Sequence, residues 1–194
     1  MSVEYIITAA AAYLIGSIPS GLILGKLFWH TDLREHGSRN IGATNAWRTL
    51  GKIPGIIVFI ADSLKGQAGV LLGLSLVGTP LAAVIGGLFS IIGHSFSLFL
   101  RFHGGKGVAT SLGVLSMLMG NVTFMLFVLW FTIVYVTRYV SLGSVTAGVL
   151  APILAELFGY PMEYVVFTVI AALLVIVRHR ENIKRLMNGT ENKI

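Results

Sequence analysis

Three stretches of this chain hold residue types that can handle phosphate, two set between apolar runs and one following the last of them. The first, residues 32–48, carries Arg34, Arg39 and Arg48 beside Ser38, Asn40, Gly42, Thr44 and Asn45. Guanidinium forks match phosphate oxygens two at a time, and amide and hydroxyl groups can orient a polyol. A connector that only had to stay solvated would use Lys, Glu and Ser without so many geometry-forming residues, so the loop reads as functional. In the second stretch, His103, Gly104, Gly105, Lys106 and Gly107 lead into Val108, Ala109 and Thr110. There unobstructed backbone N–H groups, a helix start and one ammonium converge, which is a recipe for holding a phosphate. It is not a Walker A loop: Leu100 stands where the first glycine belongs, and Gly107 follows Lys106 where Ser or Thr would bind magnesium, so a nucleotide triphosphatase is disfavoured.

The third stretch is Arg178, His179, Arg180, Glu181 and Asn182 through Arg185, followed by Glu191. At helical spacing His179 and Asn182 share a face, with Arg178 and Arg185 on a neighbouring one. A stop signal of positive charge accounts for the arginines but not for His179 or Asn182. Ser141 and Ser144 lie one turn apart after Arg138, placed to cap a helix or to donate to a ligand; capping is expected for one of them. Asp62 and Lys65, three apart in an apolar run, are expected to satisfy each other as a structural pair, since charge inside a membrane is costly and is paired or faces a wet cavity. With no cysteine in the chain, disulfides, thiolate nucleophiles and cysteine metal sites are excluded. The carboxylates are few and scattered, so no metal site is expected either.

The elements that must position these groups are apolar helices. Of the 194 residues 55% are hydrophobic and only 11% charged, with a mean hydropathy of +0.85, against roughly one-quarter charged residues in soluble domains. A soluble fold is excluded on that ground. The pattern predicts an all-α polytopic bundle with helices from Tyr5 to Lys26, Pro54 to Val77, Leu81 to Leu100, Val108 to Met119, Val122 to Thr137, Leu142 to Leu157 and Met162 to Val177. At about 20 residues per crossing this is about seven spans in one membrane domain, 1–194. The run from Val108 to Met119 is short for a full crossing, which leaves five spans plus a re-entrant pair as a second topology.

Every Lys and Arg except Lys65 falls on one side of that pattern, while the turns at Gly78 to Pro80, Gly120 to Asn121 and Gly159 to Pro161 carry no cation. The positive-inside rule then predicts the N-terminus outside and the C-terminus in the cytoplasm. Residues Met1 to Thr8 contain Glu4 and no cation, so the first helix reads as a retained anchor, not a secretory leader. Gly21 with Gly25 and Gly69 with Gly73 have the spacing that lets helix backbones approach in lipid. Pro19 should kink the first helix and free carbonyls that then need partners.

RNIGATNAWR in the first loop, GHSFSLFLRFHGGKGVAT in the second and RHRENIKRLMNGTE at the C-terminus, with SIPSG, DSLKG and RYVSLGS between them, closely resemble the bacterial membrane acyl-phosphate:glycerol-3-phosphate acyltransferases, the PlsY family. One departure is Ser97, where the family pattern has proline. The resemblance implies acyl transfer from acyl phosphate to the sn-1 hydroxyl of glycerol 3-phosphate, the first acylation of phospholipid synthesis, in the bacterial inner membrane with a cytoplasmic site. It implies essential roles for Ser38 and for one or both of Arg39 and Arg48. Glycerol-phosphate binding falls to Gly104, Gly105, Lys106 and Gly107, activity to His179 and Asn182, and integrity to Glu191. No cofactor and no nucleic-acid partner is expected, and a monomer is.

An acyl phosphate carries its own good leaving group, so an alcohol can attack it directly, with positioning and charge stabilisation supplying much of the acceleration. The His-x4-Asp pattern of other glycerolipid acyltransferases is absent, which disfavours an acyl-CoA donor handled that way. Both phosphates are expected in a cationic bowl made by the inner loops, and either His179 or a substrate phosphate takes the proton. The competing reading is a small transporter of phosphorylated metabolites, which would be expected to show inverted repeats; none is detectable, and the polar residues gather at one face.

Overall fold

The computed structural model describes residues 3–194, all of whose regular structure is helical. Met1 and Ser2, which precede the predicted first helix, lie outside the described residues. The helices are α1 (Val3–Ser17), α2 (Ser20–Trp29), α3 (Ala43–Leu50), α4 (Lys52–Leu76), α5 (Pro80–Ser95), α6 (Val108–Leu118), α7 (Gly120–Thr137), α8 (Val140–Leu157), α9 (Met162–Arg178) and α10 (Arg180–Met187), with a 3-10 turn at Leu98–Leu100. Five segments are long and apolar enough to cross a membrane: α1 with α2, α4, α5 with its 3-10 turn, α7 and α8. A sixth arises if α9 and α10, bent by 62°, count together. Helix α6, at 11 residues, rises about 16 Å and so covers roughly half of a hydrocarbon core of about 30 Å. Five or six segments thus have the length to cross, with the half-length α6 beside them, against the seven crossings expected.

The chain divides into two compact units, Met1–Val114 and Leu115–Ile194. In the first, α5 packs on α1 and α4, while α2 and α3 lie against α4. A methyl group on Gly69 of α4 would come 2.5 Å from the carbonyl oxygen of Gly86 on α5, so the two backbones meet where only glycine fits. The predicted kink at Pro19 is a full break between α1 and α2. Both freed carbonyls find partners: Ser97 Oγ donates to Ser17 O at 2.5 Å and Lys65 Nζ donates to Ile18 O at 3.0 Å. Tyr13 adds a bond to Phe96 O at 2.8 Å, so the break in α1–α2 is tied to the end of α5. That end comes at Ser95, five residues before the predicted Leu100, because the chain turns into the 3-10 segment through Ser97.

In the second unit α8 packs against both α7 and α9, and α10 returns to touch α8 and α9. Tyr160 donates its hydroxyl to Asn121 Oδ1 at the end away from α10. At the other end Ile194 N donates to Arg138 O at 3.0 Å, fastening the C-terminal tail to the turn between α7 and α8.

Candidate functional site

The first loop folds around Asn45. This side chain is 2% exposed; its Nδ2 lies 3.0 Å from Leu33 O, 3.1 Å from His36 O and 2.8 Å from Asn40 O, donating among them. Its Oδ1 accepts Ser38 N at 2.9 Å. A single amide from α3 thus gathers the chain from Leu33 to Asn40 and leaves Ser38 and Arg39 exposed on the outer side. Asn45, expected among the ligand-facing residues, has its polar atoms turned to the loop and acts by shaping it. Asn40 Oδ1 accepts Gly42 N at 2.9 Å, which turns the chain into α3. Thr44 and Arg48 lie half-buried on α3, a helix of eight residues within what reads as irregular loop. Leu33 anchors the loop from below, fully buried with Ala46 and Val58.

Asp32 opens the loop in an ion cluster, 2.9 Å from Lys26 Nζ and 2.6 Å from Arg34 Nη2. Hydrogen bonds from the Arg34 side chain hold its carboxyl well below the usual carboxylate range, against the upward push of burial. Arg34 is therefore occupied with Asp32, whereas Arg39 projects from a backbone in the left-handed region at φ 58°.

The glycine loop is built on His94. Gly105 N donates to His94 O at 3.0 Å, and any Cβ on Gly105 would collide with His94 Nε2. Gly107, at φ 81°, turns the chain into α6, whose first turn is fixed when Ser63 Oγ of α4 donates to Ala109 O at 3.0 Å. Lys106 and Gly107 directly precede Val108, the first residue of α6, so the loop ends where the unpaired N–H groups of that helix begin. Asp62 and Lys65 form their i, i+3 pair at 2.8 Å, with side chains 3% and 6% exposed.

The second unit carries the other group. Glu191, 8% exposed, accepts Ser141 Oγ at 2.9 Å and Asn182 Nδ2 at 2.6 Å on one oxygen, and Arg185 Nε at 2.7 Å on the other. Burial pushes this carboxyl up, but the bonds from Asn182, Arg185 and Ser141 outweigh it and hold the group below its ordinary range. Asn182 lies in α10, and His179 is buried at the bend where α9 ends at Arg178, one residue past the predicted Val177. Its Nδ1 lies 2.8 Å from Val175 O; since a carbonyl only accepts, Nδ1 carries the proton and in the neutral ring Nε2 carries the lone pair. Neither Ser141 nor Ser144 caps α8, correcting that expectation: Tyr139 stands at the cap without a side-chain bond. Ser144 Oγ donates back to Val140 O at 2.9 Å and lies 3.2 Å from Trp130 Nε1, whose N–H it accepts.

The family model described as glycerol-3-phosphate acyltransferase matches residues 6–189. The chain belongs to that family. It is 46% identical to the glycerol-3-phosphate acyltransferase of Carboxydothermus hydrogenoformans over 97% of its own length and 96% of that protein. With glycerol-3-phosphate acyltransferase 2 of Moorella thermoacetica the identity is 47%, covering 98% and 97% of the two chains. Among solved structures, the glycerol 3-phosphate form of PlsY, an integral membrane glycerol 3-phosphate acyltransferase, superposes with a TM-score of 0.93 at 40% identity, covering 98% of this chain and 95% of that one. Its lysophosphatidic acid form gives 0.91 at 39%. This family member is thus an integral membrane acyltransferase of phospholipid biosynthesis.

His94 is the residue that sequence reasoning missed. Its one signal is a histidine 11 positions before Gly105 in an otherwise apolar helix end.

Proposed function

We propose that this protein moves a fatty acyl group from acyl phosphate to the sn-1 hydroxyl of glycerol 3-phosphate. The hydroxyl oxygen attacks the acyl carbon, the bond to the phosphate oxygen breaks, and 1-acylglycerol 3-phosphate and inorganic phosphate leave. No acyl-enzyme forms, because the mixed anhydride already carries a good leaving group. The observation that carries the reading is the glycine loop, whose backbone amides and Lys106 directly precede the start of α6, an arrangement suited to an anion. Support for the acceptor comes from the relative solved in a glycerol 3-phosphate form.

Within this reading Arg39, Arg48 and Lys106 neutralise phosphate charge, with Gly104, Gly105 and Gly107 giving backbone access. Ser38, Asn40, Gly42 and Thr44 form the rim of the first loop, and Asn45 holds it. His179 and Asn182 orient the glycerol hydroxyl, and Ser141, Ser144 and Arg185 complete the polar set around Glu191. The Nδ1 partner of His179 is a neutral carbonyl, not a carboxylate, which favours a substrate phosphate as final proton acceptor. The family model runs through 6–189 as one unit, in keeping with one membrane domain. The cation asymmetry supports an N-terminus outside and a cytoplasmic site, and the bacterial sources of the relatives are consistent with a cell membrane.

The test supplies purified protein with glycerol 3-phosphate and acyl phosphate, acyl-CoA or acyl carrier protein donors, and measures lysophosphatidic acid. Product from acyl phosphate supports the proposal, and product from acyl-CoA alone overturns the donor. Flux of labelled substrate into proteoliposomes without chemical conversion would mark a transporter instead.

A further inference from the structure

The buried charges of α4 meet the glycine loop through one ring. His94, 4% exposed at the end of α5, points its Nδ1 toward Asp62 Oδ1 at 3.6 Å. The opposite edge of the same ring, Nε2, lies against Gly105 so closely that only glycine fits there. The His94 carbonyl serves the loop as well, accepting Gly105 N at 3.0 Å. Asp62 is held in turn by Lys65 at 2.8 Å. Lys65 is tied to Ile18 O at the α1–α2 break, and its own carbonyl accepts Ser90 Oγ of α5 at 2.8 Å. A continuous set of contacts therefore runs from the break at Pro19, through Lys65, Asp62 and His94, to the backbone just before Lys106.

We propose that His94 is a positioning residue for the acceptor phosphate, set in place by the Asp62–Lys65 pair. It touches no reacting atom; it fixes the height of the Gly104–Gly105 backbone, and with it the aim of the following amides and of Lys106. This goes beyond a pair that merely satisfies its own charge. An ion pair needed only for helix rotation requires no third group, whereas here a histidine is interposed between the carboxylate and the loop. The inference rests on the glycerol-phosphate reading given above.

The consequence is a split between the two substrates. His94→Ala should raise the KM for glycerol 3-phosphate about ten- to hundredfold, as expected when an anchoring backbone is displaced by about an ångström. At saturating acceptor kcat should stay within about threefold, as should the KM for acyl phosphate, because the reacting atoms are untouched. His94→Gln, which keeps a polar group of similar reach, should recover most of the acceptor KM. Calorimetric binding of glycerol 3-phosphate to the purified protein gives a second readout that needs no turnover. If wild-type protein binds glycerol 3-phosphate but yields no lysophosphatidic acid, the donor reading fails while the positioning role is still judged by binding.

Should His94→Ala not fold, a milder pair keeps the inference testable. Gly105→Ala alone should weaken acceptor binding because its methyl strikes the ring, and combining it with His94→Asn, which shortens the side chain, should restore part of the loss. Independent, additive effects of these two changes would overturn the proposal. So would a folded His94→Ala whose acceptor KM and affinity equal the wild type, or one that loses kcat alone.

Discussion

Asn182 Nδ2 stands 2.6 Å from Glu191 Oε1, a donor on α10 meeting an acceptor on the tail beyond it. Two further donors, Ser141 Oγ and Arg185 Nε, reach the same carboxylate, so the tail closes back onto α8 and α10. His179 at the bend and Asn182 within α10 thus come with a carboxylate that holds the second of them.

Glu191→Ala should cost about 2 kcal/mol or more, because three donors lose their acceptor in a buried setting. Thermal unfolding in detergent reads this. The sign of the pH effect follows from the lowered native carboxyl: its stabilisation is present above its ordinary value of 4.5 and is lost as pH falls through the lower native value. On acidification through that window the wild type should lose melting temperature faster than Glu191→Gln, which cannot titrate there. Equal slopes would mean that the carboxylate adds nothing.

Removing the Asn45 amide should open the first loop. Asn45→Ala strips a buried set of bonds to Leu33, His36, Asn40 and Ser38 and should cost about 2–3 kcal/mol locally. Hydrogen exchange should rise between residues 33 and 40 while α4 and α5 stay protected. Activity should fall with it even though the side chain faces away from the exposed side of the loop.

Lys106→Ala should raise the KM for glycerol 3-phosphate by about ten- to hundredfold, the worth of one charge-assisted contact. Lys106→Arg should recover part of the loss. An unchanged acceptor KM would take the glycine loop out of the site.

His179→Gln distinguishes two proton routes. With phosphate as acceptor, kcat should fall by less than about a hundredfold and the pH–rate profile should keep its shape. A deeper loss, within the 10²–10⁴ range of general-base catalysis, together with loss of the acidic limb, would instead assign the base to His179.

The helices and the glycine loop are legible in the sequence because both depend on local spacing: apolar runs of fixed length, and glycines next to a lysine ahead of a helix. What spacing hides is pairing over distance. Ser141 looks like a cap from its neighbours, yet its hydroxyl is taken by Glu191, 50 residues along the chain. Asn45 looks like a ligand contact among arginines, yet its amide is spent on carbonyls nearby. Helix α3 is eight residues long, too short for its amphipathic pattern to stand out from a polar loop. The half-length of α6 is visible in the short apolar run and the end of α9 falls within a residue of the predicted Val177, whereas the 62° turn into α10 is hidden, because helical spacing carries no direction.

Ser97 gives the stitch between the two helix breaks a thermodynamic reading. At φ −62° its backbone already has the angle that a pyrrolidine ring would impose. Proline there would stiffen the unfolded chain by about 0.4–1 kcal/mol, and the serine instead contributes a hydrogen bond to Ser17 O of about the same worth. Rigidity at this corner thus has two interchangeable chemical currencies, one entropic and one enthalpic. Replacing Ser97 with proline should therefore leave the melting temperature nearly unchanged, whereas Ser97→Ala should lower it.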